Sequence, residues 1–307
     1  MLSTVKKYLE LVRFSHTIFA LPFAIAAALI AVHLGGDNAF ELSLHAPLPG
    51  MKPVVGILLC MVSARTAAMA FNRLVDRAID AANPRTSSRH LPRGDLHAGE
   101  VLLLIVLAFC VFIGSTMFFL PNWLPLVLSL PVLAWLLGYS YAKRFTMFAH
   151  VWLGTALGLT PIAAWIAIRG GIVVSDPVDL LPSLLLGLAV TAWVAGFDII
   201  YACQDAHFDA THGLQSIPAR LGVQQALRLS AWLHAVMLVV LALMPLVVPD
   251  LGGLYWLTLL AIGLLLAWEH SIVRTDDLSR INEAFFKANA VLGMLMMTGI
   301  MADLWLL

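Results

Sequence analysis

The sequence predicts an all-α integral membrane protein of nine transmembrane helices, and three observations carry that prediction. Of 307 residues, 61% are apolar and 12% charged, against roughly 45–50% and about 25% in soluble domains. A water-soluble globule with so few charges could not cover its surface. Apolar runs of about 20 residues, the length that crosses a bilayer as a helix, recur along the whole chain. The lysines and arginines between these runs fall almost entirely on one side. Lys+Arg and Asp+Glu number 18 each, so bulk charge gives no reason to expect a nucleic acid as partner.

The runs place spans near 14–34, 52–76, 99–120, 122–142, 148–169, 182–203, 224–248, 252–272 and 284–306. The first follows Lys6, Lys7 and Arg13 and is long enough to cross the bilayer, so it reads as a helix rather than a signal peptide. Nine spans put the termini on opposite sides. Fifteen basic residues share the side of the N-terminus, only Lys52 and Arg169 take the other, and Arg65 lies within the second span. Cytoplasmic loops retain Lys and Arg, so the N-terminus is expected in the cytoplasm of a multi-pass protein of the inner membrane. No linker or low-complexity tract interrupts the chain, which is expected to form a single domain, 1–307. Cys60, Cys110 and Cys203 stand alone in apolar stretches and read as inert thiols.

Chemistry is expected at the long polar cytoplasmic loops, 77–98 and 204–223, and at the short basic loop 143–147. The second span ends Arg65-Thr-Ala-Ala-Met-Ala-Phe-Asn72-Arg-Leu-Val-Asp76-Arg-Ala-Ile-Asp80. Helical residues four apart share a face, so Asn72, Asp76 and Asp80 form a polar stripe, with Arg65 on the same side. The sixth span ends Asp198-Ile-Ile-Tyr201-Ala-Cys-Gln-Asp205-Ala-His-Phe-Asp209, a second acidic stripe. One such stripe is explained by a solvated helix end. Two at the same membrane face repel one another unless cations sit between them, and Mg²⁺ suits one or two carboxylates plus substrate phosphates. Arg73, Arg77, Arg85, Arg89 and Arg93 after the first stripe, with Lys143 and Arg144, supply anion-binding groups, although the positive-inside bias alone explains any one of them. The combination describes a diphosphate site facing the cytosol.

Arg65 lies two helical turns before Asn72, about 10 Å deeper at 1.5 Å per residue. It needs an anionic partner there: an acid or carbonyl of a neighbouring helix, or a substrate carboxylate gripped by its guanidinium fork. Tyr139 and Tyr201, at cytoplasmic span ends, are candidate substrate contacts. His207 and His212 lie close to Asp205 and Asp209, but without an HxxxH pair they read as loop lining. His16, His150, His234 and His270 read as packed or interfacial.

The pattern Asn72-xxx-Asp76-xxx-Asp80, then Arg85-Thr86 and Leu91-Pro92, then Tyr201-xxx-Asp205-xxx-Asp209, resembles the UbiA superfamily of membrane prenyltransferases. Nine spans, with the stripes after spans two and six, match that family's helical bundle. Within it the sequence is most similar to the 4-hydroxybenzoate polyprenyltransferase branch. The segments 14–23 and Ser216-Ile-Pro-Ala-Arg220 resemble its menaquinone-pathway members. Two departures bear on the acceptor: Arg73 stands where many members have Asp, and Gly213-Leu-Gln-Ser216 lacks a Lys common in ubiquinone enzymes. The resemblance implies Mg²⁺-dependent transfer of a polyprenyl group from its diphosphate to the ring of a hydroxylated aromatic acid, 4-hydroxybenzoate or a dihydroxynaphthoate, in quinone biosynthesis. It implies metal-holding and catalytic roles for Asp76, Asp80, Asp205 and Asp209, with Asn72 as a further ligand. Substrate contacts fall to Arg65, Arg85, Arg89, Tyr139, Lys143, Arg144, Asp198 and Tyr201. A secondary transporter with an acidic cation site is the alternative from another class, but transporter acids usually lie near the midplane. A CDP-alcohol phosphotransferase would need an Asp-Gly-xx-Ala-Arg lead, which is absent here.

Overall fold

The computed structural model describes residues 2–12, 21–35 and 51–306, and all of its regular elements are helical apart from one isolated bridge, Arg274 to Asp277. In chain order the helices are α1 (Leu2–Leu11), α2 (Leu21–His33), α3 (Met51–Val75), α4 (Arg77–Ala82), α5 (Ala98–Thr116), α6 (Leu124–Ala142) and α7 (Ala149–Ser175). There follow α8 (Leu181–Ala202), α9 (Ala206–Thr211), α10 (Ile217–Leu221), α11 (Val223–Ala242), α12 (Gly253–Ile272), α13 (Ile281–Glu283) and α14 (Asn289–Leu306). Among the described residues, eight helical stretches are long and apolar enough to cross a membrane. The first expected span is represented by the shorter apolar α2, whose preceding residues, with Arg13, His16 and most of the 14–23 segment, lie outside the described residues.

The chain divides into two compact units, residues 1–17 with 51–141, and residues 18–50 with 142–307. In the first, α3 packs along α5, and Leu11, Ala70, Leu96, Val101 and Ile105 form a buried cluster at the end that carries the 77–98 loop. A side chain at Gly56 would collide with Phe119, so the glycine lets the turn after α5 close on α3. Leu102, Leu103, Val106 and Leu107 stay about half exposed on α5, which suits a helix whose outer face meets lipid rather than water. His90 ties α1 to the 83–97 segment, with Nε2 3.0 Å from Glu10 and Nδ1 3.2 Å from Asp95. The hydrogen bond from His90 holds the Asp95 carboxyl below its ordinary range, helped by the charges of Arg93 and Lys7.

The second unit is built on α7 and α8, which approach through small residues. A Cβ on Gly158 would strike Gly187 O and Thr191 Oγ1, and one on Gly154 would strike Thr191 O; backbones pack this closely in membranes through Gly, Ala, Ser and Thr. Gly196 makes the same kind of space for the His234 ring of α11, and Ser230 Oγ donates to Gly196 O at 2.8 Å. Polar side chains here are paired across helices: Trp193 Nε1 donates to Asn289 at 2.7 Å, His234 Nδ1 lies 2.9 Å from His270 Nε2, and Asp303 accepts from the Leu254 and Tyr255 amides that open α12. Arg169, expected to end the fifth span on the outer side, is instead buried inside α7 at a kink, its Nε 3.0 Å from Asp179, and the helix runs on to Ser175.

Candidate active site

The second span keeps its helix only to Val75. Asp76 leaves helical geometry (φ −91°, ψ 7°) and α4 starts directly after it. The backbone ladder nevertheless carries on, from Asp76 N–H to Asn72 O at 2.9 Å and from Asp80 N–H to Asp76 O at 2.8 Å. The expected stripe therefore survives a break that the i, i+4 spacing does not signal. Asn72 Nδ2 donates to Asp76 Oδ2 at 2.8 Å, and Arg73 Nη1 to Asn72 Oδ1 at 3.2 Å, which fixes the amide with its nitrogen toward the acid.

Asp80 is 6% exposed and sits in the first turn of α4, where the helix dipole favours an anion. Its Oδ1 accepts from Arg89 at 2.5 Å, whereas Oδ2 is buried with no hydrogen bond. The return of Arg89 to Asp80 is arranged by the turn between them. Asn83 Oδ1 accepts the Arg85 amide at 2.9 Å, and the buried Thr86 hydroxyl donates to Asp80 O at 3.0 Å. The Arg85-Thr86 pair is thus explained locally: Thr86 holds the turn, while the Arg85 side chain stays exposed. Arg77 bends back to Leu74 O and Arg93 to Asp95. Arg65 on α3 and Tyr139 near the end of α6 are half-buried.

In the second unit the same local design recurs. After α8, a tight turn over Cys203–Asp205 brings Asp205 to φ −103°, ψ 4°, and α9 begins beyond it with Asp209 in its first turn. Asp205 is 7% and Asp209 2% exposed. Lys143 Nζ lies 3.5 Å from Asp209 Oδ2, close enough for an ion pair, yet that oxygen accepts no directed hydrogen bond. Lys143 O takes the Gln215 amide at 2.6 Å, tying the basic loop to the turn before α10. Ser216 caps α10 through its hydroxyl, with Pro218 in the first turn and Gly222 at φ 81° ending it. That accounts physically for the Ser216–Arg220 segment. The Tyr201 ring lies against Phe285 with centroids 4.5 Å apart.

His212 stacks on Phe208, and His207 and Arg144 are exposed. His150, read from sequence as packed or interfacial, is fully buried and also bonded to Asp198, Nδ1 to Oδ2 at 2.7 Å. A signal for this pairing was available: His150 opens the fifth span and Asp198 lies near the end of the sixth, so the two sit at the same membrane level on successive helices.

Among the described residues no three His, Cys, Asp or Glu side chains come together as a metal cage. Each acidic segment nonetheless offers, on its own, a donor that fits Mg²⁺. Buried oxygens are normally hydrogen-bonded, and Asp80 Oδ2 and Asp209 Oδ2 are not. Mg²⁺ asks for one or two carboxylates and completes its shell with water and phosphate rather than with more protein.

A membrane protein of paired, aspartate-broken helices is thereby defined, and comparison places it. Residues 20–291 match the model of the UbiA prenyltransferase family. The chain is 32% identical over 236 residues to a 4-hydroxybenzoate octaprenyltransferase of Xanthomonas oryzae pv. oryzae (strain PXO99A), covering 77% of this chain and 75% of that one. It is 32% identical over 259 residues to the enzyme of that name from Alkalilimnicola ehrlichii, covering 84% of each. Its fold matches the apo structure of a UbiA homolog from Aeropyrum pernix K1 with TM-score 0.79 and 31% identity, over 94% of this chain and 98% of that one. A UbiA homolog from Archaeoglobus fulgidus, bound to DMAPP and Mg²⁺, shares the fold with TM-score 0.70 at 19% identity, over 98% of this chain and 100% of that one. The chain belongs to the UbiA prenyltransferase family, and it is a multi-pass membrane enzyme.

Proposed function

We propose that this chain transfers a polyprenyl group from a polyprenyl diphosphate to a ring carbon of a hydroxylated aromatic acid, 4-hydroxybenzoate or a dihydroxynaphthoate, in quinone biosynthesis. It does so as a single domain, 1–307, of nine spans in the inner membrane, with its N-terminus and active site toward the cytoplasm. The observation that carries the reading is the repeated aspartate break: in each acidic segment a buried aspartate keeps one carboxylate oxygen without a hydrogen bond, Asp80 Oδ2 and Asp209 Oδ2. The names of the bacterial relatives, and the Mg²⁺ and prenyl diphosphate bound by the Archaeoglobus homolog, support it.

Asn72, Asp76, Asp80, Asp205 and Asp209 would hold Mg²⁺, which when bound neutralises the diphosphate and favours its departure as a Lewis acid. Arg85, Arg89, Lys143 and Arg144 take the diphosphate oxygens. Arg89 and Lys143 lie on Asp80 and Asp209 in the structure, and they exchange carboxylate for phosphate when the substrate arrives. Tyr139 and Tyr201 flank the prenyl end. Asp198 accepts a hydrogen bond from the ring hydroxyl, and Arg65 grips the acceptor carboxylate, so the ring carbon meets the allylic carbon. The allylic C–O bond breaks, a C–C bond forms, and the ring carbon loses its proton. A lipid-covered site excludes the water that would otherwise capture the prenyl carbon.

Arg65→Leu tests this arrangement. It should raise KM for the aromatic acid by about tenfold or more, the size of a lost charged hydrogen bond, and leave KM for the prenyl diphosphate little changed. A rise confined to the diphosphate would move Arg65 to the leaving-group site.

A further inference from the structure

The reaction proposed above accounts for Asp198 but leaves its partner without a role. His150 lies in the first turn of α7 with no exposed surface. Its Nδ1 is 2.7 Å from Asp198 Oδ2, and its Nε2 is 3.4 Å from the amide nitrogen of Ile217. A backbone amide only donates, so Nε2 carries the lone pair and the ring proton resides on Nδ1, directed at the carboxylate. The network itself therefore sets the tautomer. The Asp198 side chain is 18% exposed, and among the described residues it makes no other hydrogen bond or ion pair. One carboxylate oxygen is held from inside the protein and the other is left for a ligand.

The same ring reaches a second element. Ile217 is the first residue of α10, directly after the buried cap Ser216, and the neighbouring Gln215 amide is held by Lys143 O. The turn before α10 is thus fastened at Lys143 and at His150, on either side of the basic loop. A change at His150 would release the Asp198 carboxylate, while the turn keeps its anchor at Lys143 O.

We propose that His150 is a positioning residue for the acceptor: it fixes the Asp198 carboxylate so that the open oxygen receives the ring hydroxyl of the aromatic acid. The inference rests on the prenyl transfer reading and deepens it, because it assigns recognition of the hydroxyl, separately from the carboxylate, to the Asp198–His150 pair. A carboxylate held by one buried donor keeps a single orientation, whereas an untethered one samples several rotamers and presents its oxygen to the ligand only part of the time.

The test uses full-length protein in lipid nanodiscs, with 4-hydroxybenzoate as acceptor, geranyl diphosphate as donor and benzoate as a competitor that lacks the hydroxyl. His150→Leu should raise KM for 4-hydroxybenzoate by about tenfold or more, the scale of a hydrogen bond to a charged group, while KM for geranyl diphosphate and the inhibition constant of benzoate stay within about twofold. His150→Asn places an amide donor where Nδ1 was and should bring the acceptor KM back to within about threefold of wild type. His150→Leu/Asp198→Asn should be no worse than Asp198→Asn alone. Additive losses in the double variant, or parallel rises for acid, diphosphate and benzoate, would overturn the assignment. If His150→Leu does not fold, the Asn variant decides: an acceptor KM as poor as that of Asp198→Asn overturns the proposal. Wild-type protein that turns over no hydroxylated aromatic acid would instead overturn the underlying reaction, and this inference with it.

Discussion

Replacing Arg89 with leucine strips Asp80 of its basic partner and leaves the carboxylate itself intact. The Asp80 side chain is 8% exposed, its Oδ1 lies 2.5 Å from Arg89 Nη1, and its Oδ2 has no hydrogen bond. Unit charges about 4 Å apart attract by about 4 kcal/mol at an effective dielectric of about 20, and removing one partner of a buried pair costs about 3–5 kcal/mol. Arg89 is itself 21% exposed, so water reaches the vacated side and the loss belongs at or below the lower limit, about 2–3 kcal/mol. At about 2–4 °C per kcal/mol for a chain of this size, Tm should fall by roughly 4–12 °C. Tryptophan fluorescence during thermal unfolding in detergent micelles with EDTA reads this directly. Asp80→Asn/Arg89→Leu removes both charges and should recover most of the loss. Millimolar Mg²⁺ should raise Tm more in Arg89→Leu than in wild type, because the cation takes over the missing positive charge. Purely additive effects in the double variant, or no Mg²⁺ response in Arg89→Leu, would refute the competition between Arg89 and metal for Asp80.

Asp76→Asn, Asp205→Asn and Asp209→Asn should each lose most prenyl transfer while the protein stays inserted and folded, and EDTA should do the same to wild type; Mg²⁺-dependent turnover measured by product formation checks both. A cysteine at Ser88, in an otherwise cysteine-free chain, should be labelled by an impermeant maleimide only from the cytoplasmic side, and labelling of intact cells from outside would invert the topology. Asp95 has a depressed pKa in the folded state, caused first by its hydrogen bond with His90. Its contribution to stability is therefore present above the ordinary carboxylate range and is lost as pH falls through the lower folded value. Tm of wild type should drop more steeply than that of Asp95→Asn below about pH 4.

Composition and hydropathy sufficed for the helical membrane architecture, since burying so apolar a chain leaves few alternatives. The i, i+4 spacing of Asn72, Asp76 and Asp80 also placed those residues on one stripe, as the backbone bonds confirm. The interruptions at Asp76 and Asp205 were not legible, because aspartate in a helix ends it only in context, and nothing local to either sequence forbids continuation. The charge of Arg169 marks the outer end of the fifth span, but α7 continues past it because Asp179 and the carbonyls of Ala31 and Gly35 satisfy the guanidinium inside the protein. Partnerships of this kind join residues far apart in sequence, and single-residue expectations pass over them. The His150–Asp198 bond, across 48 residues, is the instance closest to the chemistry.

The reaction itself is tested most directly by incubating purified protein in lipid nanodiscs with Mg²⁺, geranyl diphosphate and either 4-hydroxybenzoate or 1,4-dihydroxy-2-naphthoate, and following products by mass spectrometry. One of the acids should gain a prenyl group on a ring carbon with one diphosphate released per product, and the gain should vanish in Asp80→Asn and Asp209→Asn. Folded wild-type protein that consumes the diphosphate yet prenylates neither acid, or that forms product equally well without Asp80 and Asp209, would contradict it.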